Sequence, residues 1–178
     1  MSLEQMLRAL EQTDRAPTER WDPPYCGEIP LVIKANGDWF YQGSLIKRQK
    51  LVKLFASVLS RENDDYFLIT PAEKVKIQVE DAPFVITQWH WQEGAKPAVM
   101  ILTSNIGEQV PLAKSHPLLL HHQVPYVDMG KGLLAKVHRN VLYQWAEFAE
   151  AEFQFGVTQY LISSAGEKFV IGSDNMSC

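Results

Sequence analysis

Two distant stretches of this chain have nearly the same sequence. Residues 68–77 read LITPAEKVKI, and residues 161–171 read LISSAGEKFVI, with Gly166 as an extra residue in the second stretch. The likeness extends upstream, because SLIKRQKLVKLFASVL precedes the first stretch and AKVHRNVLYQWAEFA precedes the second. Two copies are too few for a solenoid, which usually needs at least three. The sequence therefore predicts an internal duplication that produces two related halves.

Each copy has the same predicted plan, in which strands flank one helix. Asn36-Gly37 in the first copy is a strong signal for a β-hairpin, because a type I′ turn needs positive φ at both central residues. Residues 47–60 then show apolar side chains at helical spacing, and so do residues 141–153 in the second copy. The predicted buried positions are Leu51, Leu54, Phe55, Val58 and Leu59 in the first helix and Leu142, Trp145, Phe148 and Ala149 in the second.

Strands dominate the rest of the chain. Each helix precedes a strand, a turn and another strand, and KVKIQVE in the first copy alternates apolar and polar residues. Between the copies, PFVITQWHW and PAVMILTS flank Glu93-Gly94 and predict another hairpin. We divide the chain into an N-terminal helical segment (1–22), a first repeat unit (23–82) and a second half (83–178) with the hairpin and second repeat. The predicted class is α+β with mostly antiparallel strands.

Composition excludes several classes of protein. A net charge of −4 and a pI of about 5.7 argue against a nucleic-acid binder, which needs a positive excess. The apolar runs are only a few residues long, whereas a membrane span needs about 20, and the first residues lack the apolar core of a secretory signal. Two cysteines are too few for a disulfide framework or a zinc quartet. We expect a cytoplasmic protein without cofactor or metal.

Several short motifs and their order identify a family resemblance. The motifs are Gly37 with Trp39, Ile46 with Arg48, TPAEK at 70–74 and VEDAPF at 79–84. With the later VPYVDMGKGLLAKVHRNVLYQWAE, the chain resembles the bacterial family called domain of unknown function 1285 over about residues 29–172. The resemblance implies a duplicated core, a second half loosely like a pleckstrin-homology fold, a nucleotide-type ligand between the halves and a role in signalling. It implies no catalytic residue.

Basic residues cluster where the two predicted helices begin. Arg48 and Arg139 align between the copies, and Lys47 precedes Arg48. Positive charge near a helix N-terminus is unfavourable, typically by about 0.3–1 kcal/mol, so an anion should offset it. One interpretation is a bound phosphate held by arginine and backbone N–H groups. The alternative is an internal ion pair with Glu73 and Glu167, which recur at matching positions beside a lysine.

Thr70 and Trp39 complete the predicted ligand site. Thr70-Pro71 in the first copy corresponds to Ser163-Ser164 in the second, and hydroxyl groups there could bind a phosphate or a base edge. Ordinary turn chemistry explains the same residues equally directly. Trp39 follows the predicted tight turn and is the tryptophan most available for stacking on a base. The alternative is that it fills the core, as most aromatic side chains do.

No catalytic or metal constellation follows from the spacing. Glu80 and Asp81 are adjacent at a predicted strand end, so their side chains should point to opposite faces of the strand. The histidines of SHPLLLHHQ (115–123) match no standard zinc spacing. Cys26 would need an activating base that the sequence does not supply. MGKG lacks the spacing of a phosphate-binding P-loop.

The sequence thus favours a non-enzymatic, ligand-binding protein with a sensory or signalling role. We expect a small anionic or nucleotide-like molecule to bind between the two related halves. The expected ligand-binding residues are Trp39, Lys47, Arg48, Thr70 and Arg139. The alternative is a protein–protein interaction module that uses a sheet edge of the second half to receive a peptide.

Overall fold

The chain divides into two compact units, residues 1–83 and residues 84–178. The computed structural model describes residue 18 and residues 21–175. Nearly all of the predicted N-terminal helical segment (1–22) lies outside the described residues. The two units are considered one at a time below.

The first unit is one six-stranded sheet with a single helix. Its elements are β1 (Tyr25–Ile33), β2 (Trp39–Tyr41), β3 (Ser44–Leu45), α1 (Gln49–Ser57), β4 (Leu59–Glu62), β5 (Asp65–Ile69) and β6 (Lys74–Val79). The strand order is β3-β2-β1-β6-β5-β4. Neighbouring strands are antiparallel except β1 and β6, which are parallel. The unit therefore consists of two antiparallel ribbons joined by one parallel pair.

The second unit contains two sheets and one helix. Its elements are β7 (Phe84–Trp91), β8 (Met100–Ser104), β9 (Gln109–Pro111), β10 (Leu118–His121), β11 (Val124–Asp128), β12 (Leu134–Val137), α2 (Arg139–Ala146), β13 (Glu150–Gln154), β14 (Val157–Ser164) and β15 (Glu167–Asn175). One sheet has the order β10-β11-β12-β7-β8-β9, and the other has the order β13-β14-β15. Only β12 and β7 pair in parallel among these strands.

Two helices and fifteen strands in the described residues confirm the predicted α+β class with mostly antiparallel pairing. The hairpin predicted around Glu93-Gly94 is present as β7 and β8. The alternation read in KVKIQVE is also confirmed, because Val75 and Ile77 are buried on one face of β6. The likeness of the second half to a pleckstrin-homology fold stays a prediction.

Both helices are shorter than predicted. α2 ends at Ala146, whereas the apolar periodicity suggested a helix continuing to residue 153. β13 begins at Glu150, so the predicted burial of Phe148 on the helix was wrong, and that ring is 41% exposed. The apolar spacing of residues 150–153 fits a helix, but these residues pair with β14 and therefore form a strand. A contact with a distant part of the chain thus overrides the local pattern.

The first predicted hairpin is present, but its turn differs from the prediction. β1 and β2 pair in an antiparallel ladder that ends at Ile33 and Trp39. Gly37 has a φ of 92°, whereas Asn36 is not among the residues with positive φ, so the turn is not type I′. A further backbone pair closes the loop, in which the N–H of Lys34 donates to the carbonyl of Asp38 at 2.7 Å. The remaining three-residue loop, with glycine in the left-handed position, is the next most common hairpin connection.

The order of elements fits a duplicated core. The series β1, β2, α1, β4, β5, β6 of the first unit recurs as β11, β12, α2, β13, β14, β15 in the second. Both copies have an antiparallel ribbon, then a helix, then a three-stranded meander. The copies differ in pairing, because β1 to β6 form one sheet, whereas β13 to β15 form a separate one.

Hydrogen bonds at the turns adjust the alignment of the two copies by one residue. Thr70 pairs with Glu73 across a two-residue turn, and Ser164 pairs with Glu167 across another. Thr70 therefore corresponds to Ser164 rather than Ser163, and Gly166 is not an insertion. Both hydroxyl-bearing residues are only 1% exposed. The shared feature is a buried Ser or Thr at the start of the last hairpin.

Candidate functional site

Trp39 belongs to the core of the first unit, contrary to the prediction that it is available for stacking. It opens β2 and is 1% exposed. Its ring stacks on Phe55 of α1, with centroids 6.2 Å apart and an interplanar angle of 16°. Trp39 therefore packs against α1, and its ring is buried and not available for stacking on a base.

Thr70 is also buried and is not available to bind a ligand as predicted. Its Oγ1 accepts a hydrogen bond from the backbone N–H of Glu73 at 3.1 Å and lies 3.4 Å from the carbonyl of the same residue. The buried hydroxyl is therefore occupied within its own turn, as the alternative of ordinary turn chemistry requires. Ser164, its counterpart, is likewise occupied: its Oγ accepts from the N–H of Met100 at 2.8 Å and donates to the carbonyl of Leu112 at 2.6 Å.

Lys47 and Arg48 lie exposed at the start of α1. Arg48 is the N-cap residue, with φ −76° and ψ 106°, and its side chain caps no backbone N–H. The first turn contains no acidic residue and does contain Lys50. Within residues 21–175, the backbone N–H groups of Gln49 and Lys50 have no acceptor. This helix start therefore combines positive side chains with free N–H donors, and we call Lys47, Arg48, Gln49 and Lys50 the α1 start.

The α1 start has no anionic partner among the described residues. No ion pair there involves Lys47, Arg48 or Lys50. The predicted alternative of an Arg48–Glu73 ion pair is absent. Glu73 has one buried carboxylate oxygen, Oε2, without a hydrogen-bond partner in the described part of the chain. The sequence interpretation of a bound phosphate already invoked backbone N–H groups here, and the absence of Ser, Thr, Asp or Asn directly before the helix was the signal that no side chain caps them.

The N-terminus of the equivalent helix in the second copy, α2, is capped by a side chain. His138 is the N-cap of α2, and its Nδ1 accepts a hydrogen bond from the N–H of Asn140 at 3.1 Å. Arg139 is the exposed first residue of α2. Its predicted partner Glu167 instead forms an ion pair with Lys114 at 3.3 Å. By position, the counterpart of Arg48 is therefore His138 and not Arg139. Arg139 belongs to the second unit, whereas the other four predicted ligand residues belong to the first.

Glu80 stabilises the first hairpin instead of taking part in an acid–base pair. Its carboxylate accepts a hydrogen bond from the backbone N–H of Ala35 at 2.8 Å and lies 3.2 Å from the Lys34 ammonium. The hydrogen bond from Ala35, followed by the contacts with Lys34, holds the pKa of Glu80 below its ordinary value. The favoured form is thus the carboxylate, which matches a structural role for this residue.

An open depression of about 320 Å³ lies on the first unit beside β5 and β6. Three carboxylates and Lys76 line it, and all of them are paired: Lys76 lies 3.4 Å from Asp65. Two cations outside the lining pair with the other carboxylates, since Arg61 lies 3.7 Å from Asp64 and Lys34 lies 3.2 Å from Glu80. Burial raises the pKa of Tyr66, which also lines the depression. Because the charges there satisfy one another, this depression has no excess charge with which to select an ionic ligand.

Metal and membrane sites are not supported by the part of the chain that is described. No group of three or more His, Cys, Asp or Glu side chains in it could hold a metal ion. Cys26 is exposed, and its thiol lies 3.3 Å from the carbonyl of Pro24. Neither described helix is long and apolar enough to cross a membrane.

Comparisons with known proteins give a consistent result for both units. Residues 16–82 match the family model described as "Domain of unknown function (DUF1285), N-terminal domain". Residues 83–171 match the model described as "Protein of unknown function (DUF1285), C-terminal domain". A search of curated proteins finds no match.

Two solved structures are similar to this chain. One is the crystal structure of a DUF1285 family protein from Silicibacter pomeroyi DSS-3, with 32% identity and a TM-score of 0.83. That match covers 97% of this chain and 95% of the other. The second is a DUF1285 family protein from Shewanella baltica OS155, with 33% identity and a TM-score of 0.56, covering 67% of this chain and 91% of the other.

Proposed function

The chain belongs to the DUF1285 family, and we propose that it is a non-enzymatic sensory protein that binds a small anion at the α1 start. The ligand class is a phosphorylated compound, with a nucleotide as the first choice. The contacting groups are the side chains of Lys47, Arg48 and Lys50 and the N–H groups of Gln49 and Lys50. A signalling role follows if binding of the ligand changes an interaction with another protein and the ligand itself is not chemically altered. The proposal requires the first unit alone and leaves Arg139 as a second contact to be tested.

The observation that carries this proposal is the positive charge at the α1 start, which has no anionic partner among the described residues. A helix N-terminus bears a partial positive charge, so each nearby cation costs about 0.3–1 kcal/mol. The absence of a capping side chain costs about 0.5–2 kcal/mol more than a good cap would. The equivalent start of α2 has a cap, which indicates that the fold itself does not require the bare arrangement. A bound anion would offset both costs in one step.

The chemistry of the α1 start suits a phosphate group. Free N–H groups at a helix N-terminus point along the helix axis towards a bound anion. A guanidinium group can donate two parallel hydrogen bonds to a phosphate, and an ammonium group adds a point charge. Because all these side chains are exposed, salt should weaken the binding strongly. Trp39 and Phe55 beneath the helix would keep the backbone donors in fixed positions.

The test is ligand-induced stabilisation across a panel of nucleotides, phosphorylated metabolites and inorganic pyrophosphate. A ligand at a hundred times its Kd raises the free energy of unfolding by about 2.7 kcal/mol. For a chain of this size, Tm rises by roughly 2–4 °C per kcal/mol. With a compound that stabilises the protein, the amide resonances of Gln49 and Lys50 should shift most in a two-dimensional NMR titration.

Matched charge reversals at the two helix starts decide where the ligand binds. Arg48→Glu should abolish the stabilisation while the variant still folds, and Arg139→Glu is the control at the start of the capped helix. Equal losses in both variants would instead support a site that draws on both units. A panel without any stabilising compound, or a hit that survives Arg48→Glu, would contradict the proposal.

A further inference from the structure

The last sheet of the second unit ends in an open strand. In the order β13-β14-β15, β13 pairs with β14 and has no second partner among the described strands. All five of its residues are exposed. Because Gln154 and Val157 close the two-residue hairpin turn, the outward-facing backbone groups are those of Ala151 and Phe153. Proteins usually protect such edges with charged side chains, especially lysine, with proline or with a bulge; β13 has two glutamates but no lysine, proline or bulge.

Two phenylalanines at the end of β13 are exposed and contribute little to the core. Phe155 occupies the turn between β13 and β14 with a φ of 53° and is 95% exposed. Its position favours Asn, Asp or Gly, because both central residues of a type I′ turn have positive φ. Phe153, two residues earlier, is also largely exposed. Both rings thus remain largely accessible, although the left-handed backbone conformation at Phe155 is strained.

A cluster of aromatic rings adjoins the other end of β13. Trp89 and Trp91 are alternate residues of β7, so they share one face, and their ring centroids are 5.8 Å apart. Phe148 lies 5.6 Å from Trp89 and 6.0 Å from Trp91, and it precedes β13 by two residues. Trp91 remains 42% exposed. The indole N–H of Trp89 donates a hydrogen bond to Oε1 of Gln144 at 2.8 Å, which orients the Trp89 ring.

The charge around β13 is negative. Glu150 and Glu152 lie on the strand, and Glu147 is the C-cap residue that follows α2. Lys168 forms an ion pair with Glu152 at 2.7 Å, leaving the other two carboxylates without an ion-pair partner in residues 21–175. The carboxylates would attract a lysine or arginine side chain, and so would the exposed indole of Trp91, since tryptophan is the best cation–π acceptor.

We propose that β13, together with the ring cluster of Trp89, Trp91 and Phe148, binds an extended, lysine- or arginine-containing segment of a partner protein by strand addition. The backbone of the segment pairs with the outward groups of Ala151 and Phe153, and its basic side chains contact the carboxylates and the ring cluster. Phe155 anchors the far end in the partner. A second copy of this chain is a poor occupant, because a twofold pairing centred on Glu152 would place that carboxylate opposite itself.

Fluorescence anisotropy with labelled synthetic peptides tests this inference on the intact protein. The probe is a short peptide that alternates Lys with Val, and its matched controls replace Lys by Glu or carry N-methyl groups on alternate backbone nitrogens. We expect only the unmodified Lys peptide to bind at physiological ionic strength. Equal binding of the Glu peptide would overturn the charge argument, and equal binding of the N-methylated peptide would overturn strand addition.

Two substitutions separate loss of the site from loss of the fold. Trp91→Ala should weaken binding of the Lys peptide by about tenfold, which corresponds to about 1.4 kcal/mol, whereas Leu119→Ala on β10 should leave it unchanged. Ala151→Pro should abolish binding yet preserve the ladder with β14, since the N–H that it removes faces outward. Circular dichroism checks folding of each variant. Unchanged binding in both Trp91→Ala and Ala151→Pro, or a wild-type dimer in light scattering that Ala151→Pro dissociates, would overturn the proposal.

Discussion

Arg48 and His138 hold the same position at the start of two related helices, yet only His138 caps its helix. The backbone at Arg48 is already extended, as a capping residue requires. We therefore expect Arg48→Ser to stabilise the free protein by about 1 kcal/mol, because the serine oxygen can accept from a first-turn N–H. Urea unfolding measures the change, and Tm should rise by roughly 2–4 °C.

His138→Ala is the reciprocal control. Removing the Nδ1 acceptor leaves the N–H of Asn140 without its partner, so the free energy of unfolding should fall by about 0.5–2 kcal/mol. A destabilised Arg48→Ser variant would show that Arg48 has a structural role and would weaken the ligand proposal. A stabilised variant that no longer binds the anion would show that the α1 start retains Arg48 at the expense of stability.

Glu80 gives a prediction about acid sensitivity. Its hydrogen bond from Ala35 and its contact with Lys34 lower the pKa in the folded protein below the ordinary 4.5. The resulting stabilisation is present above the unfolded pKa and is lost as the pH falls through the folded pKa. Glu80→Gln should therefore reduce stability at neutral pH, and its difference from the wild type should shrink under acid. Urea unfolding at several pH values measures this, and parallel acid profiles would contradict it.

Sequence patterns predicted which helices and strands exist better than they predicted where each one begins and ends. Val75 and Ile77 were assigned to the buried face of a strand because alternation within one strand is a local property. Trp39 was misjudged because its burial depends on α1 packing over β2, and no local pattern reports that contact. Phe148 was misjudged for a related reason, since the strand that follows it depends on pairing with a segment farther along the chain.

The turn between β14 and β15 offers a test of hairpin chemistry. Ala165 and Gly166 have φ of 53° and 78°, so the turn is type I′ with an alanine where Asn is preferred. Ala165→Asn should stabilise the protein by roughly 0.5–1 kcal/mol, because Asn tolerates the left-handed conformation better than Ala does. The measurement is the urea midpoint at an unchanged m-value.

Gly166→Ala at the next residue is the matched control and should destabilise. A Cβ there would lie 3.6 Å from Cγ of Pro97, an ordinary contact, so the cost is backbone strain of about 1 kcal/mol and not a clash. If Gly166→Ala were neutral, or if Ala165→Asn destabilised the protein, the type I′ assignment would not account for the stability of this hairpin.

For the whole molecule, the repeat was the most informative feature of the sequence. It predicted the helix and the final two-stranded hairpin of both copies, because duplication preserves element order even where residues diverge. It did not predict the strand between them, since β13 lies within the range predicted for the second helix. It could not predict the exact register, since the one-residue shift between Arg48 and His138 is apparent only from hydrogen bonds. The α1 start is a site where the two copies differ, and the architecture that they share predicts no such difference.

The division after Pro83 predicts that each unit folds alone. Each unit contains side chains that are almost completely buried. They include Leu31, Ile33, Phe55, Leu68 and Ile77 in the first unit and Ile86, Met100, Leu102, Leu112 and Trp145 in the second. Separate expression of residues 1–83 and 84–178 should therefore give two fragments with cooperative thermal transitions and dispersed amide NMR spectra. The first should be the less stable, because a shorter chain buries a smaller fraction of its surface. A fragment that is unstructured alone but folds when its counterpart is added would show that the two units depend on each other for folding.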